Sequence, residues 1–361
     1  MNIEGYGRVV RGTLLGNLAA LAKGGRREDL VIPMGWSEPG IGKTDCMRAI
    51  VASLGNSGWE LFEDQGATAD SRWCYVDLDL QTRDAADLGG SPWVKNDRTV
   101  RLRPDWMPDK PMVVVALDEL AQADNACLNI SGTLMREGRI GEHSLPMGCL
   151  MVAASNPAGT RTGTNALPGQ VRSRVKHLYI DPDPQCWARW AQARGIHPIL
   201  VAYARARPSE YHHKYDRTAD AYPCARGWTM VNAELQFDLS AGDLEESIAG
   251  CVGTTAAADF MGFMEAAKRM PDPDQILRDP TGAPLPEGLD LTFVTMQALS
   301  RRADISNMEP LVRYLERLPE PEFAQLCLAD AVAREPGLGI HGAYARWQAS
   351  NANDARAALA A

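Results

Sequence analysis

Ser37-Glu38-Pro39-Gly40-Ile41-Gly42-Lys43-Thr44 is the stretch from which the fold can be read. Leu30-Val31-Ile32-Pro33-Met34-Gly35 before it reads as a strand, and Lys43 opens a helix. Gly40 and Gly42 give the backbone freedom to curl around phosphate oxygens with its N–H groups pointing inward. Pro39, Gly40, Ile41 and Gly42 then form a cradle. Lys43 reaches the β- and γ-phosphates, and the Thr44 hydroxyl sits on Mg²⁺. The positive end of the helix acts on the same anion. One position departs from the pattern: Ser37 stands where such loops begin with glycine, and a small residue is compatible there.

A second segment, Met112-Val113-Val114-Val115-Ala116-Leu117-Asp118-Glu119, reads as a buried strand ending in two carboxylates. Open α/β sheets bind ligands at that strand edge. Asp118 is placed to hold Mg²⁺, mostly through water, and Glu119 to orient the attacking water or accept its proton. Taken alone, each segment has a plainer reading, a glycine turn before a helix and a strand running into an acidic turn. In this order they point to hydrolysis of a nucleoside triphosphate.

The 361 residues suffice for two or three packed units. Apolar residues make up 45% and charged residues 23%, the balance of a globular chain. No apolar run is long enough for a membrane span, and the N-terminus lacks the pattern of a secretory signal, so a cytoplasmic location is expected. The eight cysteines show no C-x-x-C pair and read as buried, reduced thiols. A net charge of −9 weighs against a surface that holds nucleic acid as a whole.

The pattern predicts a first helix from about Thr13 to Lys23, then alternating strands and helices to about residue 180. The strands are Leu30–Gly35, Trp73–Leu78, Met112–Leu117, Gly148–Ala154 and Val175–Ile180. Asp183 and Pro184 start a helix that Gly195 closes, and the remainder reads as helical. A proline- and aspartate-rich stretch, 271–286, reads as a separator. The expected domains are an α/β unit at 1–182, a small helical lid at 183–265 and a C-terminal helical extension at 266–361. Trp187, Trp190 and Trp228 read as lid core, and His197, His212 and His213 as ordinary surface or core residues.

These motifs resemble the AAA+ ATPases, most closely their MoxR-like branch. The resemblance rests on Ser37–Thr44, Val113–Glu119, Ala153-Ala154-Ser155-Asn156-Pro157, Ser173-Arg174-Val175 and Tyr222-Pro223-Cys224-Ala225-Arg226-Gly227-Trp228. It covers roughly residues 28 to 232. It implies a P-loop fold with a five-stranded parallel sheet and a helical lid, binding ATP and Mg²⁺ through Walker A and Walker B motifs. By position, Asn156 matches sensor 1. Arg174 matches the arginine finger that reaches a neighbouring subunit, with Arg172 as the substitute. Arg226 matches sensor 2, although Ala225 replaces the family's usual proline.

Two insertions mark this branch: 84–105, carrying Trp93, Lys95, Arg98, Arg101 and Arg103, and 139–147. The resemblance further implies a ring homo-oligomer, a hexamer, that remodels a protein client in a chaperone-like manner. A partner with a von Willebrand factor A domain is implied in the same way. A nucleic-acid-directed ATPase, such as a phage replication, packaging or restriction motor, is the alternative. A nucleotide-gated scaffold without turnover fits Glu119 and Asn156 poorly. The absence of an N/T-K-x-D guanine-reading motif favours ATP over GTP.

Overall fold

A computed structural model describes residues 1–157, 166–211, 215–216 and 218–360. His212 and His213 lie outside the described residues. The chain divides into two compact units, Met1–Pro182 and Asp183–Ala361.

The first unit opens with α1 (Ile3–Ala22), ten residues longer at its start than the sequence suggested. The Asn2 side chain accepts from the Gly5 N–H and caps the helix. Tyr6, Val10, Leu14 and Leu18, spaced by four, form one buried stripe. The glycines at 5, 7 and 12 lower intrinsic helix propensity and hide that stripe from a local reading. Burial of the stripe overrides them, at about 1.5–3 kcal/mol for each large apolar side chain.

The sheet comprises β1 (Ile32–Trp36), β2 (Cys74–Asp79), β5 (Val113–Asp118), β8 (Cys149–Ser155) and β9 (Val175–Tyr179). It is parallel throughout, in the order β2-β5-β8-β1-β9. The α/β class with five parallel strands is therefore as expected. Both faces are covered, which is why the central strands are apolar without alternation. Val114, Ala116, Leu150 and Val152 pack with α1 and with α2 (Lys43–Ser53). Val113, Val115, Leu117 and Met151 pack on the opposite side with α4 (Asn125–Glu137).

Between β2 and β5 come the one-turn α3 (Ala85–Gly89) and a hairpin, β3 (Pro92–Lys95) and β4 (Arg98–Arg101). Asn96 and Asp97 both have positive φ, at 51° and 55°, the two-residue turn that suits strand twist. A second hairpin, β6 (Arg139–Ile140) and β7 (His143–Ser144), lies within the expected second insertion. A short α5 (Gly169–Arg172) precedes β9.

The second unit is helical. It contains α6 (Pro184–Ala193), α7 (Pro198–Ala206), α8 (Pro208–Tyr211), α9 (Ala225–Glu234), α10 (Ala241–Val252) and α11 (Thr254–Ala267), followed by α12 (Pro273–Arg278), α13 (Leu289–Arg302), α14 (Met308–Leu315), α15 (Pro321–Arg334) and α16 (Gly342–Ala360). Asp183 caps α6 through the N–H groups of Gln185 and Cys186, with Pro184 at the first turn. Tyr203, Trp228, Phe260 and Phe263 form one aromatic core. A second core gathers Leu299, Leu311, Leu315 and Leu328, with Ile276 and Ala283 from the proline–aspartate stretch buried in it. α13 supplies side chains to both cores.

Trp187 and Trp228 are buried, but Trp190 is 38% exposed, so the expectation of a core residue fails there. Trp190 lies at the margin of the α6 stripe, with the Arg194 guanidinium over its ring. His197 is exposed and caps α7 through the Ile199 N–H. All eight cysteines are free thiols; Cys74, on the edge strand β2, is exposed rather than buried. Among the described residues, no helix is long and apolar enough to cross a membrane.

A Cβ on Gly35 would lie 2.8 Å from the Tyr6 hydroxyl and 2.9 Å from its ring. Gly35→Ala is expected to cost about 1–3 kcal/mol in urea unfolding, because the ring is hemmed in by the α1 core. Tyr6→Phe removes a buried hydroxyl that has no hydrogen-bond partner. That change should leave stability equal or higher.

Candidate functional site

The sheet order brings the C-terminal ends of β5, β8 and β1 side by side, and the decisive loops leave from those ends. After β1 the backbone turns through Gly40 and Gly42, at φ 88° and 101°, a region that L side chains avoid. Ser37 has no positive φ, so its side chain costs the loop nothing. This accounts for a serine at the loop's first position. Gly42 caps α2, whose first residues are Lys43 and Thr44.

Lys43 is 7% exposed. Its ammonium donates to the Ser37 carbonyl at 3.0 Å, to the Ser37 hydroxyl at 2.9 Å and to Asn156 Oδ1 at 2.9 Å. Asn156, just past β8, turns its Nδ2 group onto both carboxylate oxygens of Glu119 at 3.0 Å. One amide therefore joins the lysine to the glutamate. Its orientation is fixed chemically, since Oδ1 can only accept and Nδ2 can only donate. Thr44 Oγ1 donates to Asp118 Oδ2 at 2.8 Å. A hydroxyl and a carboxylate oxygen held this closely at a strand end are the hard oxygen donors that magnesium takes alongside phosphates.

Glu119 adopts φ 51°, a left-handed conformation rare outside glycine, and its N–H bonds Asp118 Oδ1 at 3.0 Å. Ser155 clamps the turn from below. It accepts from the Ala121 N–H at 3.0 Å and donates to Gln122 Oε1 at 2.5 Å. Burial raises the Glu119 pKa, opposed first by Lys43; Asp118 and Asp79 add to the rise, and the Asn156 bond works against it.

Lys43, Thr44, Asp118, Glu119 and Asn156 therefore form one cluster, with the loop of Pro39, Gly40, Ile41 and Gly42 beside it. Arg174 stands apart. It follows α5 rather than lying on it, is half-buried, and its side chain makes no hydrogen bond or ion pair among the described residues. Arg172, the substitute, is the last residue of α5 and is exposed. Arg226 is exposed in the first turn of α9, in the second unit.

Of the basic residues in the first insertion, Arg101 donates to the Gly90 carbonyl at 2.7 Å and Arg103 to the Met107 carbonyl at 3.0 Å. They support the hairpin, which leaves Lys95 and Arg98 exposed beside Trp93. The sequence reading missed three contributors to the cluster: the Ser37 acceptors, the Ser155–Gln122 clamp, and Asp79, which lies opposite Asp118 in the sheet register. Only Asp79 left a local trace, as an acid one residue past the predicted strand Trp73–Leu78.

The sheet order, the glycine loop at the end of β1 and the acid pair at the end of β5 together decide the fold. It is a five-stranded parallel α/β fold with a glycine-rich loop between β1 and α2. No family model matches the sequence, and no curated protein matches it. Similar solved structures include a variant of RuvB from Thermotoga maritima, 14% identical over 88% of this chain and 87% of that one, with a TM-score of 0.35. Another is the Thermotoga maritima RuvB described as a Holliday junction branch migration motor, 16% identical over 82% and 80%, TM-score 0.33. A provisionally described ATPase from Cytophaga hutchinsonii is 12% identical over 68% and 80%, TM-score 0.34. The site stands on this chain's own geometry.

A glutamate that accepts a proton must be ionised, and the raised Glu119 pKa sets where ionisation is lost. Hydrolysis should fall, as pH decreases, at a pH above that of an ordinary glutamate. Asn156→Ala removes a bond to the carboxylate and should shift this acid limb further upward in the residual rate. A limb that stays in place would disconnect Asn156 from Glu119.

Proposed function

We propose that the chain is an ATP hydrolase of the AAA+ type, working as a ring in the manner of the MoxR-like branch. The observation that carries the reading is the Lys43–Asn156–Glu119 bridge beside the Thr44–Asp118 pair. A triphosphate entering the loop meets the N–H groups at the start of α2 and offers Lys43 phosphate oxygens in place of Ser37 and Asn156. Asn156 is then free to hold the lytic water or a phosphate oxygen, while Glu119 orients that water and takes its proton. Thr44 and Asp118 would hold Mg²⁺, which supplies charge neutralisation on the phosphates when bound.

The wider reading rests on the resemblance. Arg174, whose side chain has no partner among the described residues, serves as the finger toward a neighbouring subunit's nucleotide. Arg226 serves as the lid's phosphate sensor. The assembly is a hexamer acting on a protein client, with a von Willebrand factor A domain protein as the partner class. The exposed Trp93, Lys95 and Arg98 suit an acidic segment of such a partner. A nucleic acid backbone would suit the same hairpin, and a rate that rises with DNA at low salt would favour that alternative.

Glu119→Gln should lower phosphate release by about 10²-fold or more while nucleotide binding persists. Lys43→Ala should lose binding itself. Release assays paired with a fluorescent-nucleotide titration distinguish the two. Full turnover in Glu119→Gln would remove Glu119 from the chemistry.

A further inference from the structure

Trp36, the residue immediately before the phosphate loop, ends β1, and its indole lies nearly parallel to two aromatic rings of the edge strand β9. The His177 ring centroid lies 6.0 Å from that of Trp36 with the planes 18° apart, and the Tyr179 ring at 6.4 Å and 16°. The indole Nε1–H donates to His177 Nδ1 at 2.9 Å. On its other side, His177 Nε2 lies 3.1 Å from the Arg172 carbonyl. An indole nitrogen can only donate and a carbonyl can only accept, so the imidazole is neutral with its proton on Nε2.

The bridge meets the chain at a point that needs support. α5 has four residues, too few to hold a helical turn unaided. Arg172, Ser173 and Arg174 bond back to Pro168, Gly169 and Val171 through their N–H groups at 2.9, 3.1 and 3.0 Å. Val171 anchors the turn in the core. His177 supplies the side-chain hold on the Arg172 carbonyl, two residues before Arg174. At its other end the same ring grips the neighbour of Ser37, whose carbonyl and hydroxyl accept from Lys43.

We propose that His177 is a positioning residue that fixes the Arg174 turn to the strand carrying the phosphate loop. A subunit's arginine is thereby presented from the same rigid piece that holds its own nucleotide. The inference rests on the reading of Arg174 as a residue that acts at a neighbour's site.

The test uses two disabled subunits of the full chain. Lys43→Ala can donate Arg174 but not bind nucleotide; Arg174→Ala can bind but not donate. Mixing them should restore phosphate release. His177→Phe keeps an aromatic ring but loses both hydrogen bonds. Placed on the Lys43→Ala subunit, it should reduce the restored rate about ten- to a hundredfold, the loss expected when a catalytic group is displaced by about an ångström. Placed on the Arg174→Ala subunit, it should leave the rate within about twofold.

His177→Gln, whose amide can accept and donate in the same directions, should return most of the rate on the donor subunit. Should His177→Phe not fold, His177→Met serves in its place. Equal losses on either subunit, or no loss on the donor, would overturn the bridge. Parent subunits that fail to restore one another would overturn the reading of Arg174, and the bridge with it.

Discussion

A buried ammonium at the end of a parallel sheet is the constraint around which the first unit is arranged. An unpaired charge in that position would cost several kcal/mol, so the chain must surround it with oxygen. The loop after β1 supplies the Ser37 carbonyl and hydroxyl, and the end of β8 supplies the Asn156 amide. These groups come from chain segments more than a hundred residues apart. They meet because β8 pairs directly with β1 and β5 lies on the far side of β8. In the proposed account, the ammonium is held ready by neutral acceptors that an incoming phosphate can replace.

The acid pair is arranged by a comparable economy of backbone. Glu119 accepts a left-handed φ, a conformation that costs of order 1 kcal/mol or more in a non-glycine residue. The Ser155–Gln122 clamp and the Asp118 contact with the Glu119 N–H hold that turn. The result places one carboxylate toward Thr44 and the other toward Asn156, so the two acids face different partners and can serve different roles.

Much of this was readable from residues alone because the informative segments are local. A glycine loop between strand and helix, and an apolar run ending in Asp118 and Glu119, declare themselves within eight residues each. Features that depend on distant partners did not. α1 began ten residues early because a buried stripe outweighed its glycines. Trp190 fell at the edge of its stripe, where a helical period alone cannot tell margin from centre. Arg101 and Arg103 stand among the insertion's basic residues, yet their guanidinium groups hold the Gly90 and Met107 carbonyls. The Trp36–His177 bond joins residues 141 apart and left no trace in spacing.

The central claim is that this loop and acid pair form one site for a magnesium-bound triphosphate. Calorimetric titration of the full chain with ATP, with magnesium present and then chelated, tests it most directly. The account predicts saturable binding at one site per chain that weakens when magnesium is withdrawn. A folded preparation that takes up neither ATP nor GTP in the presence of magnesium would contradict it.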